Sequence, residues 1–336
     1  MADDLDPQSS PQVMSPLAPF AGAKPPGPAW FDGALARAPE RSVVSAAGAD
    51  IELLTWGERR KPGLLLVHGN SAHADWWSFI APFFADDYRV AAFSLSGMGG
   101  SGWREAYGFE VFAEEMDVCA RAAGLYDSGA PPIYIGHSFG GALVYHAAAR
   151  YPDRMRAGVI VDTGFGGPPT AEEFARIDAA RVAAGGAPAK WRDPRTNEPN
   201  RVYPTFAEAL ARFRLMPPQV PGNLFIADHI ARHSLKAMAL PDGREGWTWK
   251  FDPTLMAKID PEQIFTPAGE PRPPLVHIVG DRSLLTSAEW MAARGKPDSA
   301  PKLRRIVIPD SAHHVMIDQP LALVAALRAL LAVWPA

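Results

Sequence analysis

Six short runs constrain this chain most: GLLLVHGN (63–70), YRVAAFSLSG (88–97), PPIYIGHS (131–138), MRAGVIVDTG (155–164), PPLVHIVG (273–280) and LRRIVIPD (303–310). Each is apolar without alternation, and each ends in glycine or a polar turn. An unbroken apolar run needs cover on both faces, as in a parallel sheet sandwiched by helices. The stretches between them have helical spacing: ADWWSFIAPFF (74–84), FEVFAEEMDVCARAAGL (109–125), FGGALVYHAAARYP (139–152), TSAEWMAARG (286–295) and PLALVAALRALLAVW (320–334). Strand–helix alternation of this kind predicts an α/β fold with a mostly parallel central sheet and helices on both faces. RSVVSAAGADIELLTWGE (41–58) adds a predicted hairpin turning at Ala47-Gly48.

The alternation stops after residue 163 and resumes near residue 253. The interval 164–252 reads as helices without a convincing strand. Two of its helices open with capping boxes, Thr170 to Glu173 and Thr205 to Glu208, and NLFIADHIARHSL (223–235) is helically spaced. A helical block inside an α/β alternation predicts an inserted cap. The expected organisation is a core of residues 41–163 and 253–336, a helical cap of residues 164–252, and an N-terminal arm of residues 1–40. The arm is rich in proline and has no strand or helix period, so it reads as extended chain, packed on the surface or without fixed structure.

Composition excludes some functions. The formal net charge of −4 gives no basic footprint for nucleic acid. No run of eighteen apolar residues suggests a membrane span, and the acidic N-terminus does not resemble a secretory signal, so a cytoplasmic location is the expectation. The single cysteine, Cys119, cannot form an intramolecular disulfide and reads as a buried residue on a helix. SGMGGSG (96–102) lacks the lysine and the spacing of a phosphate loop. No cofactor and no metal site is expected, and oligomeric state has no sequence signal.

Gly136-His137-Ser138-Phe139-Gly140 is a G-x-S-x-G pattern between a predicted strand and a predicted helix. A serine on so sharp a turn projects its hydroxyl from the sheet edge, and the flanking glycines let strand and helix approach. The following helix aims its free N–H groups and positive end at the same place. His68-Gly69-Asn70 ends the third strand, so the main-chain N–H of Asn70, with that of Phe139, is a candidate oxyanion hole. SAHHVMIDQP (311–320) follows the last strand and offers two adjacent histidines, His313 and His314, as the base.

VHGN, SLSGMGGSG, GHSFGG and SAHHVMIDQP together resemble the α/β-hydrolase fold superfamily, in its capped serine-hydrolase branch, over residues 41–334. The resemblance implies that His313 is the base, because Asp318 stands five residues beyond it and Pro320 seven. It also implies acyl transfer to water through an acyl-serine on Ser138. Dehalogenases and epoxide hydrolases of this fold use an aspartate where this chain has Ser138.

The triad's acid has two candidates. The usual acid position after the post-cap strand is Ser283 here, and a serine cannot serve as an anionic partner. Asp281 stands two residues early, and Asp162 ends the strand after the nucleophile helix; both lie at C-terminal strand edges. Asp162 is preferred because it needs no rebuilt turn, and Asp281 stays open. The cap should form much of the pocket, with His137, Trp76 and Trp247 as candidate substrate-binding residues. A small ester or lactone with an apolar or aromatic group is the expected substrate. Carbon–carbon bond hydrolysis by the same fold is the alternative, favoured if a pocket arginine can take a carboxylate. A non-catalytic ligand-binding member is a third reading.

Overall fold

The computed structural model describes residues 12, 15–165, 170–173, 175–176, 179, 199–240, 243–260, 269–287 and 302–334. Ten strands occur among them: β1 Glu40–Ala46, β2 Ala49–Trp56, β3 Gly63–Val67, β4 Arg89–Phe93, β5 Ile133–His137, β6 Ala157–Val161, β7 Leu235–Ala239, β8 Glu245–Trp249, β9 Leu275–Gly280 and β10 Arg304–Ile308. The helices that matter below are α1 Ala29–Ala36, α2 Phe109–Ala122, α3 Phe139–Arg150, α4 Phe206–Leu210, α5 Leu224–His233, α6 Val315–Asp318 and α7 Pro320–Val333.

Eight strands form one sheet in the order β1-β2-β4-β3-β5-β6-β9-β10. The pairs β1–β2 and β2–β4 are antiparallel, and the rest are parallel. From β3 the chain steps one way to β4 and then the other way to β5. That reversal opens a crevice at the carboxyl ends of β3 and β5, where open α/β sheets bind ligands.

The period-two geometry of strands explains why the runs are apolar throughout. Leu64, Leu66, Ile133, Ile135, Val159 and Val161 enter one core with Leu323 and Leu327 of α7. Leu65, Val67, Tyr134 and Ile160 enter the other with Phe112 and Met116 of α2 and Leu143 of α3. Cys119 is free and buried on α2, and burial pushes its thiol up.

Three expectations need correction. ADWWSFIAPFF forms two short 3-10 turns, Ala74–Trp76 and Ala81–Phe83, rather than a helix. Trp77, Phe79 and Ile80 are buried on every side, and Pro82 interrupts the ladder. The inserted subdomain contains an antiparallel hairpin, β7–β8, beside its helices. Four of the five β7 residues are exposed, so no apolar run marked that strand. The N-terminal segment contains α1, whose Phe31 is buried against Phe225 of α5 with ring centroids 4.9 Å apart. The capping box at Thr170 forms with both reciprocal bonds to Glu173, and at Thr205 the hydroxyl caps Glu208 N. The part of TSAEWMAARG from residue 288 onward lies outside the described residues.

Two buried polar residues lock the loops at the carboxyl edge. His68, after β3, accepts a hydrogen bond from Leu95 N at 2.9 Å through Nε2 and donates to Gly69 O at 2.7 Å through Nδ1. One nitrogen accepts and the other donates, so the ring is neutral. Burial lowers its pKa to about 4. Glu115 of α2 has no exposed side-chain surface; it accepts from Ser96 N and pairs with Arg104 Nη2 at 2.9 Å. Arg104 in turn donates to the carbonyls of Ala46 and Ala47, which ties the first hairpin to the loop after β4.

Two outcomes are expected. Between about pH 6.5 and pH 4 the unfolded chain binds a proton at His68 that the folded chain refuses. Stability is therefore full above about pH 6.5 and falls as the pH drops toward 4, with His68 accounting for on the order of 3 kcal/mol. His277, also lowered to about 4 by burial, acts in the same direction. A urea midpoint that does not move between pH 7.5 and pH 5 would contradict this. Replacing Glu115 by alanine strands the Arg104 guanidinium in a dry site and should cost about 3–5 kcal/mol in urea denaturation.

Candidate active site

Ser138 sits at the turn between β5 and α3 with φ 54° and ψ −119°. This strained backbone is held by Ser138 N donating to Val161 O at 2.9 Å and Thr163 Oγ1 donating to Ser138 O at 2.8 Å. The two glycines of the motif are sterically required. A Cβ on Gly136 would stand 2.3 Å from Gly140 O, and one on Gly140 would stand 2.5 Å from Val67 O. The turn therefore packs directly on the end of β3.

The serine hydroxyl meets His313. The distance from Ser138 Oγ to His313 Nε2 is 3.0 Å, and from His313 Nδ1 to Asp162 Oδ1 it is 2.9 Å. His313 lies on the loop after β10 and is nearly fully buried, and Asp162 is fully buried at the end of β6. Asp162 also has a positive φ of 47°. Gly280 N donates to Asp162 Oδ2 at 2.8 Å, and the Ser283 hydroxyl donates to Asp162 Oδ1 at 2.5 Å. With its Nδ1–H given to the carboxylate, His313 presents a bare Nε2 to the serine O–H.

Asp281 is elsewhere. Its carboxylate is exposed and accepts from Ser311 N at 3.0 Å, a bond that holds its pKa below the ordinary value. It braces the loop that carries His313 without touching the ring. Asp318 has a similar bracing task. It accepts from Ala312 N, from Gly222 N and from Gln219 Nε2, while burial raises its pKa. Gln219 Oε1 accepts from His314 N, and Asn223 donates to the carbonyls of Ile317 and Asp318. These bonds fasten the cap segment before α5 to the histidine loop. Ser283, Gln219 and Asp318 had no assigned role from sequence; Ser283 at the usual acid position was the available signal.

A cavity of about 500 Å³ opens over Ser138. Asn70, Trp76, His137 and His314 line its floor, and Tyr203, Phe213, Trp249 and Phe251 line the cap side. His137 Nε2 donates to His313 O at 3.0 Å, and its ring stacks on Trp76. Burial pushes His137 and His314 well below the ordinary histidine range, so both are neutral. Phe139 packs its ring against Phe109 and Phe112, and its main-chain N–H, as the first of α3, has no partner inside the helix. Trp247 does not line the cavity. It pairs with Ala237 toward the outer end of the hairpin and packs on Phe206, whereas Trp249, paired with Leu235 at the base, reaches the cavity. Ser15 of the N-terminal segment also lines it, which sequence reading did not foresee.

Among the described residues, two clusters could hold a metal ion. One ring nitrogen from each of His137, His313 and His314 lies within 4.8 Å of the others, as do ligand atoms of Asp75, His229 and His233. In the second, Asp75 already takes the Arg41 guanidinium at 2.5 Å. Neither set is contiguous in sequence, so no spacing motif announced them.

Comparison with known proteins agrees with this architecture. The α/β hydrolase fold family matches residues 62–320. Lipase LipV of Mycobacterium tuberculosis is 28% identical over 199 residues, 59% of this chain and 66% of the lipase. The bifunctional epoxide hydrolase 2 of Sus scrofa is 32% identical over 108 residues, 31% of this chain but only 19% of that enzyme. The chain thus spans less than two thirds of the length of these relatives. The crystal structure of E-2-(acetamidomethylene)succinate hydrolase superposes with a TM-score of 0.60 at 20% identity, covering 87% of this chain and 98% of that one, which is a likeness of fold. Among the described residues, no helix is long and apolar enough to cross a membrane. The match across residues 62–320, on a sheet and an inserted subdomain of this topology, makes the chain a member of the α/β-hydrolase fold family.

Proposed function

We propose that this protein cleaves a carboxylic ester, lactones included, through an acyl-serine intermediate. The observation that carries the reading is the continuous hydrogen-bonded line from Ser138 Oγ through His313 to Asp162. Ser138 attacks the carbonyl carbon while His313 Nε2 takes its proton. The Asp162 carboxylate holds the ring in the required tautomer and stabilises the imidazolium that forms. The tetrahedral oxyanion is met by the main-chain N–H groups of Asn70 and Phe139, at the positive end of α3. Collapse expels the alcohol, protonated by His313. Water then repeats the sequence on the acyl-serine and releases the acid.

A serine nucleophile separates this reading from the epoxide hydrolase relative, because opening an epoxide or displacing a halide through an ester intermediate needs a carboxylate at that position. Carbon–carbon bond hydrolysis of a keto acid is a second reading. It is favoured by three arginines, Arg201, Arg212 and Arg214, along the cavity. A purely ligand-binding role is disfavoured by the intact line of bonds at Ser138.

A fluorophosphonate probe should label the protein at Ser138, with labelling abolished in Ser138→Ala; an unlabelled wild type would remove both hydrolytic readings. On a turned-over p-nitrophenyl ester, Asp162→Asn should lower kcat by roughly 10⁴, because the histidine then adopts the wrong tautomer. Asp281→Asn, which only loosens a loop bond, should cost less than about tenfold. The reverse order of severity would move the acid to Asp281.

A further inference from the structure

The described residues lining the cavity include three arginines and not one aspartate or glutamate. Arg212 and Arg214 flank Phe213, and Leu215 follows; Phe213 and Leu215 are buried in the core while the two arginines between and before them are exposed. That alternation fixes the backbone and aims both guanidinium groups away from the core. Arg201 is anchored by Thr248 Oγ1, which donates to its carbonyl. Its guanidinium lies over the Tyr203 ring, 5.6 Å from the centroid. A cation–π contact of this kind uses none of the guanidinium's N–H donors. Among the described residues, no hydrogen bond or ion pair engages the side chain of Arg201, Arg212 or Arg214.

Elsewhere on this protein arginines are commonly paired. Arg37, Arg41, Arg104, Arg121 and Arg232 each meet a carboxylate. Three guanidinium groups on one cavity, with no ionic partner among the described residues, create a positive field there. Phe213, Trp249 and Phe251 line the same cavity and give its wall an apolar part.

We infer that the substrate is amphiphilic: an apolar segment links the scissile carbonyl to an anionic oxygen group, a carboxylate or a phosphate, that docks on Arg201, Arg212 and Arg214. A carboxylate or a phosphate accepts paired N–H bonds from a guanidinium fork through two of its oxygens. The inference rests on the hydrolytic reading of Ser138 and narrows its substrate class. It adds an anionic group to the sequence-based expectation of a small ester with an apolar or aromatic group.

The test uses the full chain and matched esters. The p-nitrophenyl half-ester of adipate and p-nitrophenyl 6-phosphooxyhexanoate are each compared with their uncharged methyl esters. At least one anion should be preferred tenfold or more in kcat/KM, and the preferred one identifies the anion. The preference should shrink at least threefold in 0.5 M salt, since the guanidinium groups are exposed. It should fall at least fivefold in the double variant R212Q/R214Q. Equal or poorer use of both anions by the wild type, or a preference untouched by R212Q/R214Q, would overturn the inference. Calorimetric titration of Ser138→Ala with monomethyl adipate and with methyl 6-phosphooxyhexanoate, each against its uncharged ester, reads anion binding without turnover. Selective anion binding with no fluorophosphonate labelling would remove the hydrolytic reading and leave the anion site; labelling without selective binding would do the reverse.

Discussion

The Asp162 carboxylate has no exposed surface, and three donors converge on it: Gly280 N–H, the Ser283 hydroxyl and His313 Nδ1–H. A buried carboxylate is costly unless its lone pairs are filled, and here each donor comes from a different place in the chain. One is the end of β9, one the turn beyond it, and one the loop after β10. The charge therefore gathers three segments that would otherwise end independently at the sheet edge. It also fixes which face of the imidazole looks toward Ser138. Fold and chemistry meet in this one group.

The sheet supplies the rest of the alignment. Ser138, Asn70, Asp162 and His313 all follow carboxyl ends of parallel strands, so the register of β3, β5, β6 and β10 sets their relative heights. The glycines around Ser138 let α3 sit against β3 without a gap. His68 and Glu115 then pin the neighbouring loops with hydrogen bonds that water cannot replace. Chemistry here depends on backbone held in register.

Much of this was legible in the sequence. A strand covered on both faces must be apolar throughout, so β3, β5, β6 and β9 announce themselves, and Ser138 stands where strand turns into helix. The acid was ambiguous for a physical reason: β6 and β9 are neighbours, so Asp162 and the position of Ser283 approach the same point in space. A carboxylate on either strand reaches the histidine, and the other position can become a donor to it. Ser283 is that donor. The cap was harder to read. β7 is short and exposed, and its pairing with β8 reflects contacts distant from its own sequence. Trp247 and Trp249 are equivalent by spacing; only hairpin register separates the one over the cavity from the one behind it.

The N-terminal segment changes what counts as the cap. Phe31 packs on Phe225, Arg232 Nη2 donates to Gly22 O at 2.7 Å, and Ser15 faces the cavity. α5 is thus held between the sheet and a strap that belongs, by chain order, to neither core nor cap. Cutting the chain just ahead of β1 would not trim a tail. It would remove a retaining band from the cap and open one wall of the cavity to solvent, leaving the catalytic edge intact but the enclosure around it unbuckled.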